Sequence, residues 1–149
     1  MIDTNYKMAL LKYYNEETKT LKLPDEFNEK ISVDNLPNSI THLLFGKYFN
    51  QSVDNLPNSI THLTFGYNFN QSVDNLPISV KHLAFWTHNS FKNNIPESVE
   101  TLELSFATYN KEIYMCNIPM NIKKIIIPNK QCKKYIQKMF DCSTYRNSC

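Results

Sequence analysis

Five times along the chain an apolar residue is followed by proline: Leu36-Pro37, Leu56-Pro57, Leu76-Pro77, Ile95-Pro96 and Ile118-Pro119, at spacings of 20, 20, 19 and 23 residues. After each pair comes one pattern: an apolar residue, two others, then apolar-x-apolar. The copies are Ile40 with Leu43-Leu44-Phe45, Ile60 with Leu63-Thr64-Phe65, Val80 with Leu83-Ala84-Phe85, Val99 with Leu102-Glu103-Leu104, and Ile122 with Ile125-Ile126-Ile127. A degenerate copy precedes them, in which Leu21-Lys22-Leu23 leads to Phe27-Asn28 as Leu43-Leu44-Phe45 leads to Phe49-Asn50. Alternation at period two predicts a strand with one buried face. About 15 residues separate one strand from the next. That is too few for a long helix, but enough for a turn, an extended return and a second turn. A coil of this size cannot bury its apolar edges alone and must stack on its copies. The expectation is a β-rich solenoid whose six strands lie in one parallel sheet, about 4.8 Å apart.

The turn residues agree with short, non-helical returns. Asp54 and Asn55 in "VDNLP" favour Asx-type turns. Pro57 fixes its own φ and keeps Leu56 out of the helical region. Val53, Leu56, Val73 and Leu76 should point into the coil. The two glycines, Gly46 and Gly66, directly follow a strand, which suits a corner needing positive φ or close backbone approach. Trp86 takes that position in the next copy, so its corner must differ, and two residues around Thr87 to Ser90 read as an insertion before Phe91. The Asn28, Asn50 and Asn70 side chains, each after a core phenylalanine, should form a ladder that satisfies backbone groups at the corner.

Terminal coils need sealing. Residues 1–16 are read as the N-terminal cap, with helix and strand both open for Ile2 to Tyr14. Residues 17–128 are the repeats and 129–149 a basic C-terminal cap and tail, all in one domain. In "NKQCKKYIQKMFDC", Cys132, Ile136, Met139 and Phe140 fall on one helical side, with Lys133, Lys134 and Lys138 mostly elsewhere.

Composition narrows the class. A hydrophobic content of 42% over 149 residues supports a packed core. No apolar run reaches the roughly 20 residues that span a bilayer, and the start is too charged for a secretory signal. Cys116, Cys132, Cys142 and Cys149 have no CxxC spacing and read as reduced thiols of an intracellular, cytoplasmic protein. Residues 1–122 carry 9 lysines against 13 acids, whereas residues 123–149 carry 6 lysines and Arg146 against Asp141 alone. The basic end reads first as a solvated cap. As an alternative it is a nucleic-acid contact through Lys123, Lys124, Lys130, Lys133, Lys134 and Lys138.

The phrase "FNQSVDNLPNSITHLTFG" closely resembles the FNIP repeat. The matching residues are Phe49-Asn50, Leu56-Pro57, Ser59-Ile60, Leu63-Thr64-Phe65 and Gly66. The resemblance covers roughly residues 17–128 and fades outward, where Lys92 replaces the asparagine and Tyr109-Asn110 replaces Phe-Asn. It implies a branch of the leucine-rich repeats found in amoebae and their giant viruses: a right-handed, curved solenoid with its sheet on the concave side. It also implies an interaction module, in the host cytoplasm if the chain is viral. Some members carry an F-box; none is visible in the roughly 16 residues before the first unit.

Stacking turns single residues into rows. The outward row before each apolar pair is Thr20, His42, His62, His82, Thr101 and Lys124, and the row between is Lys22, Leu44, Thr64, Ala84, Glu103 and Ile126. Lys47, Tyr67, Trp86 and Phe106 stand at the strand exits. The expected partner-binding residues are His42, Leu44, His62, Thr64, Tyr67, His82, Ala84, Trp86 and Glu103, with an unidentified protein as partner and Trp86 as anchor. Shared Zn²⁺ or Cu²⁺ among the three histidines is the sharper alternative, opposed by imidazoles that project in parallel instead of converging. No catalytic constellation or phosphate-binding loop is present in the sequence, and His82, Glu103 and Cys116 have no spacing that demands chemistry. The expectation is therefore no enzyme and no cofactor. The chain is expected to be a monomer or to self-associate weakly through an incompletely capped end.

Overall fold

The structure is a computed structural model describing residues 4–86, 94–105 and 119–126, with side chains from residue 8 onward. One seven-stranded sheet runs through it in strict chain order. Its strands are β1 (Tyr14–Asn15), β2 (Thr20–Lys22), β3 (His42–Leu44), β4 (His62–Phe65), β5 (His82–Phe85), β6 (Thr101–Leu104) and β7 (Lys124–Ile126). β2 to β7 are parallel and correspond to the six repeated units.

The register has no slip where it crosses the repeats. Leu21, Leu43, Leu63, Leu83, Leu102 and Ile125 pair in sequence, and so do the two rows flanking them. Any one-residue shift would turn each strand's apolar pair out to solvent. Leu43, Phe45, Leu63, Phe65, Leu83, Phe85, Leu102 and Leu104 are all buried, as are Val53, Leu56, Val73 and Leu76 on the returns.

Two phenylalanine stacks fill the interior. Phe45, Phe65 and Phe85 follow one another at 5.4 Å between ring centroids. Phe27, Phe49 and Phe69 do so at 6.2 Å. The stacks touch within a coil, Phe45 on Phe49 and Phe65 on Phe69, both at 3.7 Å. Burying each phenylalanine contributes about 1.5–3 kcal/mol, so these columns, with the aliphatic rows beside them, hold the coils together.

The proline turns are uniform. Ile40, Ile60, Val80, Val99 and Ile122 each donate a backbone N–H to the carbonyl of the proline three residues earlier, at 3.0–3.4 Å. Leu36 before Pro37 is extended, with φ −94° and ψ 149°. The asparagine ladder is present. Asn28 Oδ1 accepts the Asn50 N–H at 2.8 Å, and Asn50 Oδ1 accepts the Asn70 N–H at 2.9 Å. Gln51 and Gln71 each add a side-chain donor to the same oxygens.

Several details differ from the sequence expectation or decide between alternatives that it left open. The sheet has an extra strand: β1 pairs antiparallel with β2, through a turn in which Lys19 has φ 52°. The N-terminal segment is a helix, α1 (Thr4–Leu11), followed by this hairpin, and Leu10 joins the core. The first return contains one 3-10 turn at Val33–Asn35, where a wholly non-helical return was expected. Neither glycine has positive φ. Close approach alone requires them, since a Cβ on Gly66 would lie 2.1 Å from the Gly46 carbonyl oxygen, and one on Gly46 2.2 Å from that of Pro24.

The Asp-Asn turns are held by the preceding serine: Ser72 Oγ accepts the Asp74 N–H at 3.0 Å, and Ser52 Oγ the Asp54 N–H at 3.4 Å. The Asp54 carboxylate also accepts from Ser52 and, across coils, from Asn75, and the Ser52 bond leads in holding its pKa below the usual value. The expected C-terminal helix, the insertion near Thr87, Phe106 and all four cysteines lie outside the described residues.

Candidate functional site

The zero-slip register makes a column of the three repeat histidines. His42 pairs with His62 and His62 with His82 on adjacent strands. Their rings stack at centroid separations of 4.1 Å and 5.2 Å, tilted by 14° and 23°. Each is half-exposed. The strand backbone beneath fixes them, because the carbonyl of Thr41 accepts two N–H groups from the next coil, those of Thr61 at 2.9 Å and His62 at 3.0 Å.

The residue before each of the first two histidines holds its ring. Thr41 Oγ1 lies 2.8 Å from His42 Nδ1, and Thr61 Oγ1 lies 2.9 Å from His62 Nδ1. Lys81 replaces threonine in the third copy. His82 instead has Glu103 beside it, with Nε2 3.7 Å from the carboxylate and both side chains 25% accessible. Partial burial pushes the His62 pKa down, and charge on His42 and then His82 pushes it further.

Leu44 and Thr64 are half-exposed in the neighbouring row. Ala84 is not a contact residue as expected: it is 2% accessible. It pairs between Thr64 and Glu103 in the register. At the strand exits Trp86 is 57% and Tyr67 39% accessible, and the Lys47 ammonium lies 5.9 Å from the centre of the Tyr67 ring.

The face is therefore a half-polar strip with an aromatic border. It brings together the expected histidines, Leu44, Thr64, Glu103, Tyr67 and Trp86. Sequence reasoning missed Thr41 and Thr61 as the residues that orient the rings. The signal was present, since "ITH" occurs twice and the third copy reads "VKH".

Of the lysines of the basic alternative, Lys123 and Lys124 lie among the described residues. Lys123 is engaged by Glu100 at 2.7 Å, and Lys124 is exposed at the far end of the histidine row. Lys130, Lys133, Lys134 and Lys138 lie outside the described residues. Among the described residues no group of three His, Cys, Asp or Glu side chains is placed to hold a metal ion. No helix among them is long and apolar enough to cross a membrane.

A parallel sheet built from short coils in unbroken register, with little helix, defines a leucine-rich-repeat-like β-solenoid. The FNIP Repeat family matches the chain at residues 16–48, 27–55 and 49–88. Over residues 16–88 the chain is built of FNIP repeats. Among solved structures it is similar to CroV588, a giant-virus protein described as having a novel circular LRR structure. The identity is 30% and the TM-score 0.50, over 72% of this chain and 20% of that one. A comparison with curated proteins finds no match.

Proposed function

We propose that this chain is a non-enzymatic scaffold that docks a partner protein on the outer face of its sheet. One observation carries the reading. The register sets His42, Leu44, His62 and Thr64 half-exposed on a single face, bordered by the exposed Tyr67 and Trp86. Aromatic side chains beside half-polar surface are the usual anchors of protein interfaces, whereas catalysis needs unlike groups converging on one point. Stacked copies supply rows of like groups. The LRR-like fold supports the same reading, since solenoids present extended surfaces to partners.

The test is affinity capture with the full chain, followed by binding measurements on the purified partner. Trp86→Ala and His62→Ala should each weaken affinity roughly tenfold or more, the range of interface hot spots, while circular dichroism shows both variants folded. Unchanged affinity in both would remove the sheet face as the docking surface.

A further inference from the structure

The threonines decide which nitrogen of each ring carries the proton. A backbone carbonyl has two lone pairs, and the Thr41 carbonyl already accepts two N–H groups at 2.9 Å and 3.0 Å. The Thr61 hydroxyl lies 3.3 Å from that oxygen, as a third and longer donor. It lies 2.9 Å from His62 Nδ1. The hydroxyl hydrogen is better spent on Nδ1. A neutral ring whose Nδ1 accepts must carry its proton on Nε2.

The first copy repeats the arrangement. The Lys19 carbonyl accepts the N–H groups of Thr41 and His42, at 3.0 Å and 3.1 Å, and Thr41 Oγ1 lies 2.8 Å from His42 Nδ1. On protonation Nδ1 becomes the donor and the hydroxyl the acceptor, and Nε2 keeps its hydrogen. The far end of both rings therefore donates in either charge state.

The third copy indicates what such a donor takes. There His82 has no threonine, and its Nε2 lies 3.7 Å from the Glu103 carboxylate of the next coil. The chain itself supplies an acid beside His82 and none in register with His42 or His62, whose cross-strand partners are Thr20, each other and His82. The surrounding charge has the matching sign. The exposed Lys22 and Lys124 stand toward the two ends of this face, and Glu103 is its one acid in the two outward rows.

We propose, building on the sheet-face reading above, that His42 and His62 are a paired carboxylate-binding site for an acidic helix of the partner protein. Each imidazole donates its Nε2–H to one Asp or Glu side chain. Rings 4.1 Å apart fit acids one helical turn apart, about 5–6 Å between Cβ atoms. They fit alternate residues of a strand, about 6.6 Å apart, less well. A nucleic acid would need a file of cations along its phosphates. This face has two lysines at opposite ends, and Lys123 is engaged by Glu100.

The experiment uses the full ¹⁵N-labelled chain and three probes: an alanine-based helical peptide with glutamates four residues apart, its glutamine counterpart, and a ten-nucleotide oligothymidine. Long-range ¹H–¹⁵N spectra at pH 7.5 should show His42 and His62 protonated on Nε2. The glutamate peptide should shift these ring nitrogens and bind at least fivefold tighter than the glutamine one. A His42→Leu/His62→Leu variant should lose at least tenfold. The His42→Gln/His62→Gln variant, which keeps an amide donor near the Nε2 position, should retain most of the affinity, and matched melting temperatures exclude a folding defect.

Protons on Nδ1, or no glutamate-peptide binding, would overturn the acid site. Equal binding of the glutamine peptide with the same ring shifts would also overturn it, yet leave the docking face standing. Peptide-induced shifts confined to residues off the sheet would remove both readings. Oligothymidine shifting the rings while the peptide does not would replace the partner class with nucleic acid.

Discussion

At the residue scale, two positions show how a repeated sequence produces different kinds of constraint. Gly66 is needed because the Gly46 carbonyl of the previous coil occupies the space of a side chain. Its backbone angles lie where any residue can sit. The contact is with backbone, so little can yield. Gly66→Ala is expected to destabilise the fold by roughly 1–3 kcal/mol, as overpacking does, read as a fall in the urea midpoint at unchanged slope. A midpoint equal to wild type would mean that the corners are not this tight. Trp86 occupies the equivalent position one coil later, so coil spacing or path must change there. The threonine before each histidine is the other case. Its side chain touches one ring atom, and so fixes what the ring presents to a partner.

At the element scale, each strand is short and its hydrogen bonds are shared between coils. The stability of the unit lies in its neighbours. The asparagine ladder belongs to this scale, because Asn50 Oδ1 serves the Asn70 N–H and the Gln71 side chain of the following coil. Asn50→Ala removes both bonds at a corner that water can reach and is expected to cost about 0.5–1.5 kcal/mol, measured by chemical denaturation. A cost within experimental error would assign the asparagine to surface contacts. The six parallel strands, their register and their inward pairs were legible in the sequence, since period-two alternation repeated at 20 residues leaves one way to bury both apolar positions. The antiparallel β1 and the 3-10 turn at Val33–Asn35 were not. β1 has no second copy in the chain, so no repetition lifts it above the background of local propensity, whereas Val33-Asp34-Asn35 repeats as residues 53–55 and 73–75, so its residues alone do not mark the one copy that winds into a 3-10 turn.

At the scale of the whole molecule, the histidine column belongs to no single coil and reports on stacking itself. His62 has its pKa lowered in the fold, by partial burial first and then by His42 and His82. Among the described residues, Lys22, Lys47, Tyr67, Lys81, Glu103 and Lys124 are the other ionisable groups on or beside this face. A base with a depressed folded pKa is protonated more readily when unfolded. Its contribution is therefore complete above the ordinary histidine value of about 6.5 and is lost as pH falls below it. The melting temperature should drop between pH 7.5 and 5.5, above the range in which exposed carboxylates titrate, and His62→Gln should flatten that drop. An unchanged slope in the variant would show that the column does not sense charge.

The chain's own order of residues determined the period, the strands, the buried faces and the rows that stacking would create. These follow from apolar spacing, and burial forces the register. Only the tertiary structure decided what the rows present: that Ala84 is buried, that Glu103 reaches back toward His82, and that Thr41 and Thr61 orient the rings beside them. Those outcomes depend on side-chain length and on distances of about 3–4 Å between groups. A one-dimensional pattern places residues on a face, but packing determines which atoms meet.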